Sequence, residues 1–242
     1  MIKIGVLGYG GRMGQLIAEE IAANEKCALA GGVVRAIKPE YKKAEGILIT
    51  SKADEVVAIS DMVIDFTAAE ATPEYVHLAA AHKKPFVSGT TGLTAAGHEA
   101  LQQAAAKIPV FYAANTSVSL VAMKQIAALA AKLLGDFDYD VAIIDEHHRL
   151  KKDAPSGTAK ALGDVIGHSN GGRKVPSYSS VRAGAIVGEH EVIFAGHGET
   201  IRLRHSVTDR RIFARGAVEA ALWLVKQKPG LYGMEDVLGL KG

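Results

Sequence analysis

A short apolar strand that runs straight into a glycine loop constrains this chain more than any other feature. Ile2-Lys3-Ile4-Gly5-Val6-Leu7 reads as a β-strand, and Gly8-Tyr9-Gly10-Gly11-Arg12-Met13-Gly14 follows it directly. Met13, Leu16, Ile17 and Ile21 then recur at helical spacing. Strand, glycine turn and helix in that order open a parallel α/β sheet, and the helix N-terminus turns its N–H groups toward any phosphate placed before it. Glycines alone serve equally well for tight helix-on-strand packing. Their position between strand and helix favours a dinucleotide site.

The same alternation continues through the first half. Short apolar runs at residues 28–34, 62–66, 85–88 and 110–113 read as strands with helices between them, the pattern of a parallel sheet with crossover helices. Thr72-Pro73 reads as a helix start, a capping hydroxyl followed by a residue that lacks the N–H. From Leu120 the residues Met123, Ala127, Ala130, Leu133 and Leu134 mark a long helix, and residues 140–145 a strand. Residues 186–195 and 200–207 then read as antiparallel strands joined near Gly196-His197-Gly198, with Ile201, Leu203 and His205 alternating against Thr200, Arg202 and Arg204. A last helix spans about residues 212–225. The expected architecture is a Rossmann-type dinucleotide-binding domain, residues 1–117 completed by 214–242. A second α+β domain on a mixed sheet, residues 118–213, would bind substrate and assemble oligomers. A hinge is expected near residues 115–118.

Composition removes several function classes. At 242 residues and 48% hydrophobic, the chain buries a substantial core. Its net charge of +2, 28 basic against 26 acidic residues, gives no general attraction to nucleic acid or an anionic membrane. Cys27 is the only cysteine, so an intramolecular disulfide and a multi-cysteine metal cluster are both excluded, in keeping with a reducing cytoplasm. The N-terminus reads as mature fold rather than a cleaved signal, and no apolar run reaches the length of a membrane span.

Cofactor preference is legible after the second strand. Dinucleotide folds that prefer NAD usually place a carboxylate there for the ribose 2′-hydroxyl; this chain has Val34, Arg35 and Lys38. The basic pair favours a 2′-phosphate, hence NADPH over NADH. Gly89-Thr90-Thr91-Gly92 and Ala113-Ala114-Asn115-Thr116 each follow a strand, at the sheet edge where open α/β folds bind ligands, and small residues and hydroxyls there suit a cofactor wall.

The second candidate site is Asp145-Glu146-His147-His148-Arg149-Leu150-Lys151-Lys152-Asp153-Ala154-Pro155-Ser156-Gly157-Thr158, a strand end, a basic loop and a helix start in succession. Pro155 suits the first helical turn, and Asp153 or Ser156 caps it. The N–H groups around Gly157 and Thr158 and the Thr158 hydroxyl receive a carboxylate, while His148 and Lys151 supply positive charge. Histidine moves protons near neutral pH, and a cationic pocket stabilises the electron density that hydride addition leaves on an unsaturated substrate. Asp145, Glu146, His147 and His148 are also possible metal ligands, but their spacing matches no helical histidine pair and no partner cluster accompanies them, so no metal is expected.

The run IIDEHHRLKKDAPSGTA, with GYGGRMG, GTTG and AGAIVGEHEVIF, resembles the 4-hydroxy-tetrahydrodipicolinate reductase family, bacterial and plant enzymes of diaminopimelate and lysine biosynthesis. The resemblance covers nearly the whole chain. It implies hydride transfer from NAD(P)H to a small cyclic dicarboxylate. His147 is then the proton donor or acceptor and Lys151 the proton donor, while His148, Gly157 and Thr158 bind substrate. Gly8, Tyr9, Gly10, Gly11, Arg12, Met13, Arg35, Gly89, Thr90, Thr91, Ala113, Ala114, Asn115 and Thr116 contact the cofactor. It also implies a homotetramer formed through the second domain's sheet. Three departures stand out: Val34 where some members carry an acid, Thr116 where an aromatic is common, and a short segment between Gly167 and Val181. Two rivals share the glycine loop, another two-domain Rossmann dehydrogenase and a non-catalytic NAD(P)-sensing protein. Neither requires the histidine-lysine loop.

Overall fold

A computed structural model describes residues 1–38 and 46–240. They form two compact units, one made of the described residues within 1–116 together with 211–240, the other of residues 117–210.

In the first unit β1 (Ile2–Leu7) lies between β2 (Cys27–Val33) and β4 (Met62–Asp65), and β3 (Leu48–Thr50) closes one edge. The other side continues through β5 (Phe86–Ser88) and β6 (Pro109–Tyr112) to β11 (Gly230–Tyr232), giving the order β11-β6-β5-β4-β1-β2-β3. All pairs are parallel. Strand order reverses between β1 and β4, and in such a sheet ligands bind beyond the carboxyl ends at that reversal. Ile4, Val6, Leu7 and Met62, Val63, Ile64 are fully buried, as expected of strands covered on both faces. The covering helices include α1 (Arg12–Ala22), α3 (Thr72–Ala81), α4 (Ala95–Ala105) and α7 (Arg211–Leu224). The short β3, α2 (Ala53–Ile59) and β11 carry too few residues for a periodic signal and were not anticipated individually.

Thr72 departs from its expected role. Ala71 stands at the cap position without a side-chain cap, Thr72 is already helical, and its hydroxyl donates to Asp65 Oδ2 at 2.8 Å. Asp65 is fully buried at the end of β4 and also accepts from Thr67 (2.5 Å), Ser88 (3.2 Å) and Thr90 (3.1 Å) hydroxyls and from the Thr67 N–H (3.0 Å). A buried carboxyl captures whatever donors surround it, which outweighs the smaller gain of a helix cap. Burial pushes its carboxyl upward, and the hydroxyls offset part of that rise.

The second unit is a four-stranded mixed sheet, β10 (Glu199–Val207), β9 (Gly188–Gly196), β7 (Tyr139–His147) and β8 (Ser177–Arg182), in that order. β7 is parallel to β8 and antiparallel to β9. β8 lies where the sequence shows only a shortened connection, because its burial pattern, exposed at five successive residues, lacks an apolar alternation. α5 (Val118–Leu134) and α6 (Gly157–Ser169) pack with the inward strand residues, joining Leu120, Met123 and Ala127 to Ala159, Leu162 and Ile166 and to Val141, Ile143, Val192 and Phe194. Among the described residues no helix is long and apolar enough to cross a membrane. Phe194 is 1% exposed in this core. Phe194→Ala should cost about 3–5 kcal/mol, read as a lowered denaturation midpoint, because its neighbours refill such a cavity only in part.

Candidate functional site

The glycine loop is built by close approach. Gly8 has φ +85°, a left-handed conformation that glycine adopts without strain. A Cβ on Gly14 would meet the Gly8 carbonyl oxygen at 2.2 Å, so α1 sits against the loop only because that residue has no side chain. Gly8 and Tyr9 N–H groups both donate to Val33 O at the end of β2 (3.1 and 2.9 Å), and the Gln15 amide donates to Tyr9 O at 2.7 Å. Gly11 caps α1 without a side-chain bond, and the first turn carries no acid. Gly10, Gly11 and Arg12 are exposed, and Met13 is half-buried. The positive end of the helix dipole and its first-turn N–H groups are thus neither neutralised nor covered by side chains of this turn, which fits a dinucleotide pyrophosphate.

Beyond β2, Val34 is buried, while Arg35 and Lys38 are exposed. The remaining expected cofactor contacts divide into two kinds. Gly89 is buried, and a Cβ on it would lie 2.1 Å from the Phe66 ring, so it serves packing between the ends of β4 and β5. Thr90 and Thr116 are also buried and turn their hydroxyls inward, Thr90 to Asp65 and Thr116 to Phe213 O at 2.7 Å. Thr91 and Ala114 are exposed, and Ala113 and Asn115 half-buried. Asp65 is not among the residues that the sequence motifs single out. Its signal is the hydroxyl-rich sequence following β4 and β5, which only pairing of those strands gathers around one carboxyl.

In the second unit, β7 carries the chemistry. Val141, Ile143, Asp145 and His147 fall on its buried face, since alternate residues of a strand point to the same side. The face therefore passes from apolar to polar along one strand. His147 Nδ1 lies 3.2 Å from Asp145 Oδ2. Asp145 is completely buried and also receives the Ser180 hydroxyl on Oδ1 (2.5 Å) and Arg182 on Oδ2 (2.9 Å). Burial pushes the Asp145 carboxyl up, but Ser180, Arg182 and His147 together overcome it and hold the group below its ordinary range. His147 is pushed down, first by burial and then by the charges of Lys151 and Arg182, against the pull of Asp145. It is therefore neutral at neutral pH.

The basic loop folds back onto this strand end. Lys151 N–H donates to His148 O (3.0 Å), Lys151 Nζ pairs with Asp153 at 2.9 Å, and Arg182 donates to Asp153 O at 2.6 Å. His148 and Lys151 are half-buried. Ser156, not Asp153, caps α6, its Oγ accepting from Ala159 N–H at 3.2 Å. Pro155 precedes the cap and so lies outside the first helical turn, joined to Ala154 by a cis peptide. Gly157 is exposed, Thr158 is half-buried, and no acid occupies the first turn of α6. Ser156 Oγ is 3.2 Å from Nε2 of the buried His190, whose ring meets that of His147 edge-on with centroids 5.2 Å apart. Burial and the charge of His147 push His190 down to about 3. One histidine thus separates His147 from the N-terminus of α6.

The expected residues His147, His148, Lys151, Gly157 and Thr158 all belong to this strand end, loop and helix start. The sequence offers Asp145 as a possible metal ligand; its partnership with His147 is signalled only by its position two residues earlier on the same strand. Ser180, Arg182 and His190 come from β8 and β9, and only sheet pairing brings them here. The surroundings combine a neutral imidazole, a lysine ammonium and an open helix N-terminus, a set suited to holding a carboxylate beside a centre that gains a proton.

Comparison with known proteins matches both halves of the chain to one family. Residues 2–116 match the family model described as dihydrodipicolinate reductase, N-terminus, and residues 119–238 the one described as its C-terminus. The chain is 41% identical to the 4-hydroxy-tetrahydrodipicolinate reductase of Zymomonas mobilis subsp. mobilis, over 99% of this chain and 98% of that one. It is 40% identical to the enzyme of the same name from Hahella chejuensis over the full length of both. The fold is similar to that of a dipicolinate-bound dihydrodipicolinate reductase from Paenisporosarcina sp. TG-14, with TM-score 0.78, 24% identity and coverage of 96% and 97%. A probable dehydrogenase from Thermotoga maritima shares the fold at TM-score 0.70 and 12% identity, over 99% of this chain and 93% of that one. With both halves of the family matched in order and relatives spanning its full length, the chain belongs to the dihydrodipicolinate reductase family.

Proposed function

We propose that the chain reduces 4-hydroxy-tetrahydrodipicolinate to tetrahydrodipicolinate in diaminopimelate and lysine biosynthesis, in the cytoplasm, with NADPH preferred over NADH. The observation that carries this reading is the convergence of His147, Lys151 and the open N-terminus of α6 in a chain whose other unit holds a glycine loop against an uncapped helix.

Bound at the loop formed by Gly8, Gly10, Gly11, Arg12 and Met13, the nicotinamide nucleotide supplies a hydride. Thr91, Ala113, Ala114 and Asn115 border the same sheet edge, Gly89 supports it through packing, and Thr90 and Thr116 contribute backbone rather than hydroxyls. Arg35, with Lys38 nearby, meets the 2′-phosphate; no carboxylate follows β2 at Val34 to repel it. In the second unit, the N–H groups of Gly157 and Thr158 and the Thr158 hydroxyl hold a substrate carboxylate, with His148 adding a hydrogen bond or charge. Loss of the 4-hydroxyl as water leaves the unsaturated centre to which the hydride adds, and Lys151 donates the proton that follows. His147, neutral because burial and neighbouring cations disfavour its charged form, accepts a hydrogen bond or proton through its free nitrogen. Four copies assemble through the second unit's sheet, where Tyr178, Val181 and Ile201 expose apolar surface on β8 and β10.

A coupled assay with freshly generated hydroxy-tetrahydrodipicolinate should show substrate-dependent NADPH oxidation, with higher kcat/KM for NADPH than for NADH. Tight nucleotide binding without turnover would instead identify a sensor. His147→Gln should lower kcat on the order of a hundredfold with little change in substrate KM, while Lys151→Ala should damage both constants, since charge and proton supply disappear together. Because His147 is held below the ordinary histidine value, the acid limb of kcat/KM should fall below about pH 6.5 and vanish in His147→Gln. A limb well above that value would place the titrating group elsewhere.

A further inference from the structure

Building on the assignment of His147 to proton chemistry, we propose that Asp145 is a positioning residue that fixes the proton of neutral His147 on Nδ1 and so presents Nε2 to the substrate. An ionised carboxylate has lone pairs only, so across the 3.2 Å contact the imidazole nitrogen is the donor. Neutral imidazole has one N–H. Once Nδ1 carries it, Nε2 retains the lone pair, and the ring is committed to one tautomer.

Two further features make this commitment firm. Asp145 cannot turn away to another arrangement, because Ser180 holds Oδ1 and Arg182 holds Oδ2, both from β8 in register with β7. Burial pushes the Asp145 carboxyl up, and Ser180 and Arg182 overcome it and hold the group below its ordinary range, so it stays ionised. Arg182 is in turn anchored to the Asp145 and Asp153 carbonyl oxygens (3.4 and 2.6 Å), so the same guanidinium ties the carboxylate to the loop that carries Lys151. At the other nitrogen, β9 places Gly188 beside the ring. A Cβ there would stand 3.2 Å from Nε2 and 3.4 Å from Cδ2, a contact tight enough to displace the imidazole. The chain therefore holds one ring nitrogen with a carboxylate and keeps side-chain bulk off the other.

A purely structural role for Asp145, anchoring Arg182, leaves the tautomer of His147 undetermined, and nitrogen NMR separates the two. In the full chain labelled with 15N at histidine, with His147→Gln used to assign the ring, His147 should show a protonated Nδ1 and a bare Nε2 at pH 8. In Asp145→Ala the Nε2-protonated form should become populated. Its kcat should fall at least about tenfold with substrate KM changed less than about threefold, and Asp145→Glu should recover part of the loss. A bare Nδ1 in the unmodified chain overturns the proposal, as does an Asp145→Ala variant with unchanged tautomer and kcat. If that variant does not fold, the tautomer of the unmodified chain decides. The spectrum requires no substrate, so absence of turnover in the unmodified chain would count against the proposed reaction while leaving the test of Asp145 intact.

Discussion

A fully buried carboxylate must be supplied with donors or lose its charge, and the end of β7 is organised around that requirement. Asp145 lies on the same strand face as Val141 and Ile143, one alternation before His147. Its donors arrive from a different strand. β8, parallel to β7, sets Ser180 and Arg182 against it, and Arg182 carries on to the basic loop through the Asp153 carbonyl. Breaking a buried pair of this kind by removing one partner typically costs about 3–5 kcal/mol, because the other charge is left without compensation. The polar tip of an otherwise apolar strand face therefore holds its geometry, and His147 inherits it.

The helix that follows extends the arrangement. Ser156 satisfies one first-turn N–H of α6 and touches His190, which stays neutral because burial strongly disfavours its charged form. That keeps a further positive charge away from His147, already depressed by burial and by the charges of Lys151 and Arg182. The side chains suited to a dicarboxylate are instead placed on the loop, where His148 and Lys151 keep partial access to solvent.

The first unit solves a related problem at Asp65. There the carboxyl is satisfied mainly by hydroxyls from Thr67, Thr72, Ser88 and Thr90, so the segments following β4 and β5 are tied together at the reversal of strand order. The glycine loop beside them depends on the reverse quality, the absence of side chains: Gly14 allows α1 to touch Gly8, and the uncapped first turn keeps its N–H groups available. One edge of the sheet is thus rigid through hydrogen bonding and open through missing Cβ atoms.

Much of this was legible in the chain itself. The β1-loop-α1 unit, the alternating strands of the first half, the long helix from about residue 120 and the hairpin of β9 and β10 follow from local periodicity and turn chemistry, which act over a few residues and leave their mark there. So does the run from His147 to Thr158, where loop charge and helix start are contiguous. What tertiary structure alone decided is which polar groups meet. Thr72 gave up a capping role for Asp65, Thr90 and Thr116 turned inward, β8 formed from a stretch without alternation, and Asp145 gained Ser180 and Arg182 from 35 and 37 residues away. Such pairings depend on strand register and on the cost of burying unmatched polar atoms, quantities that exist only once distant segments are packed together.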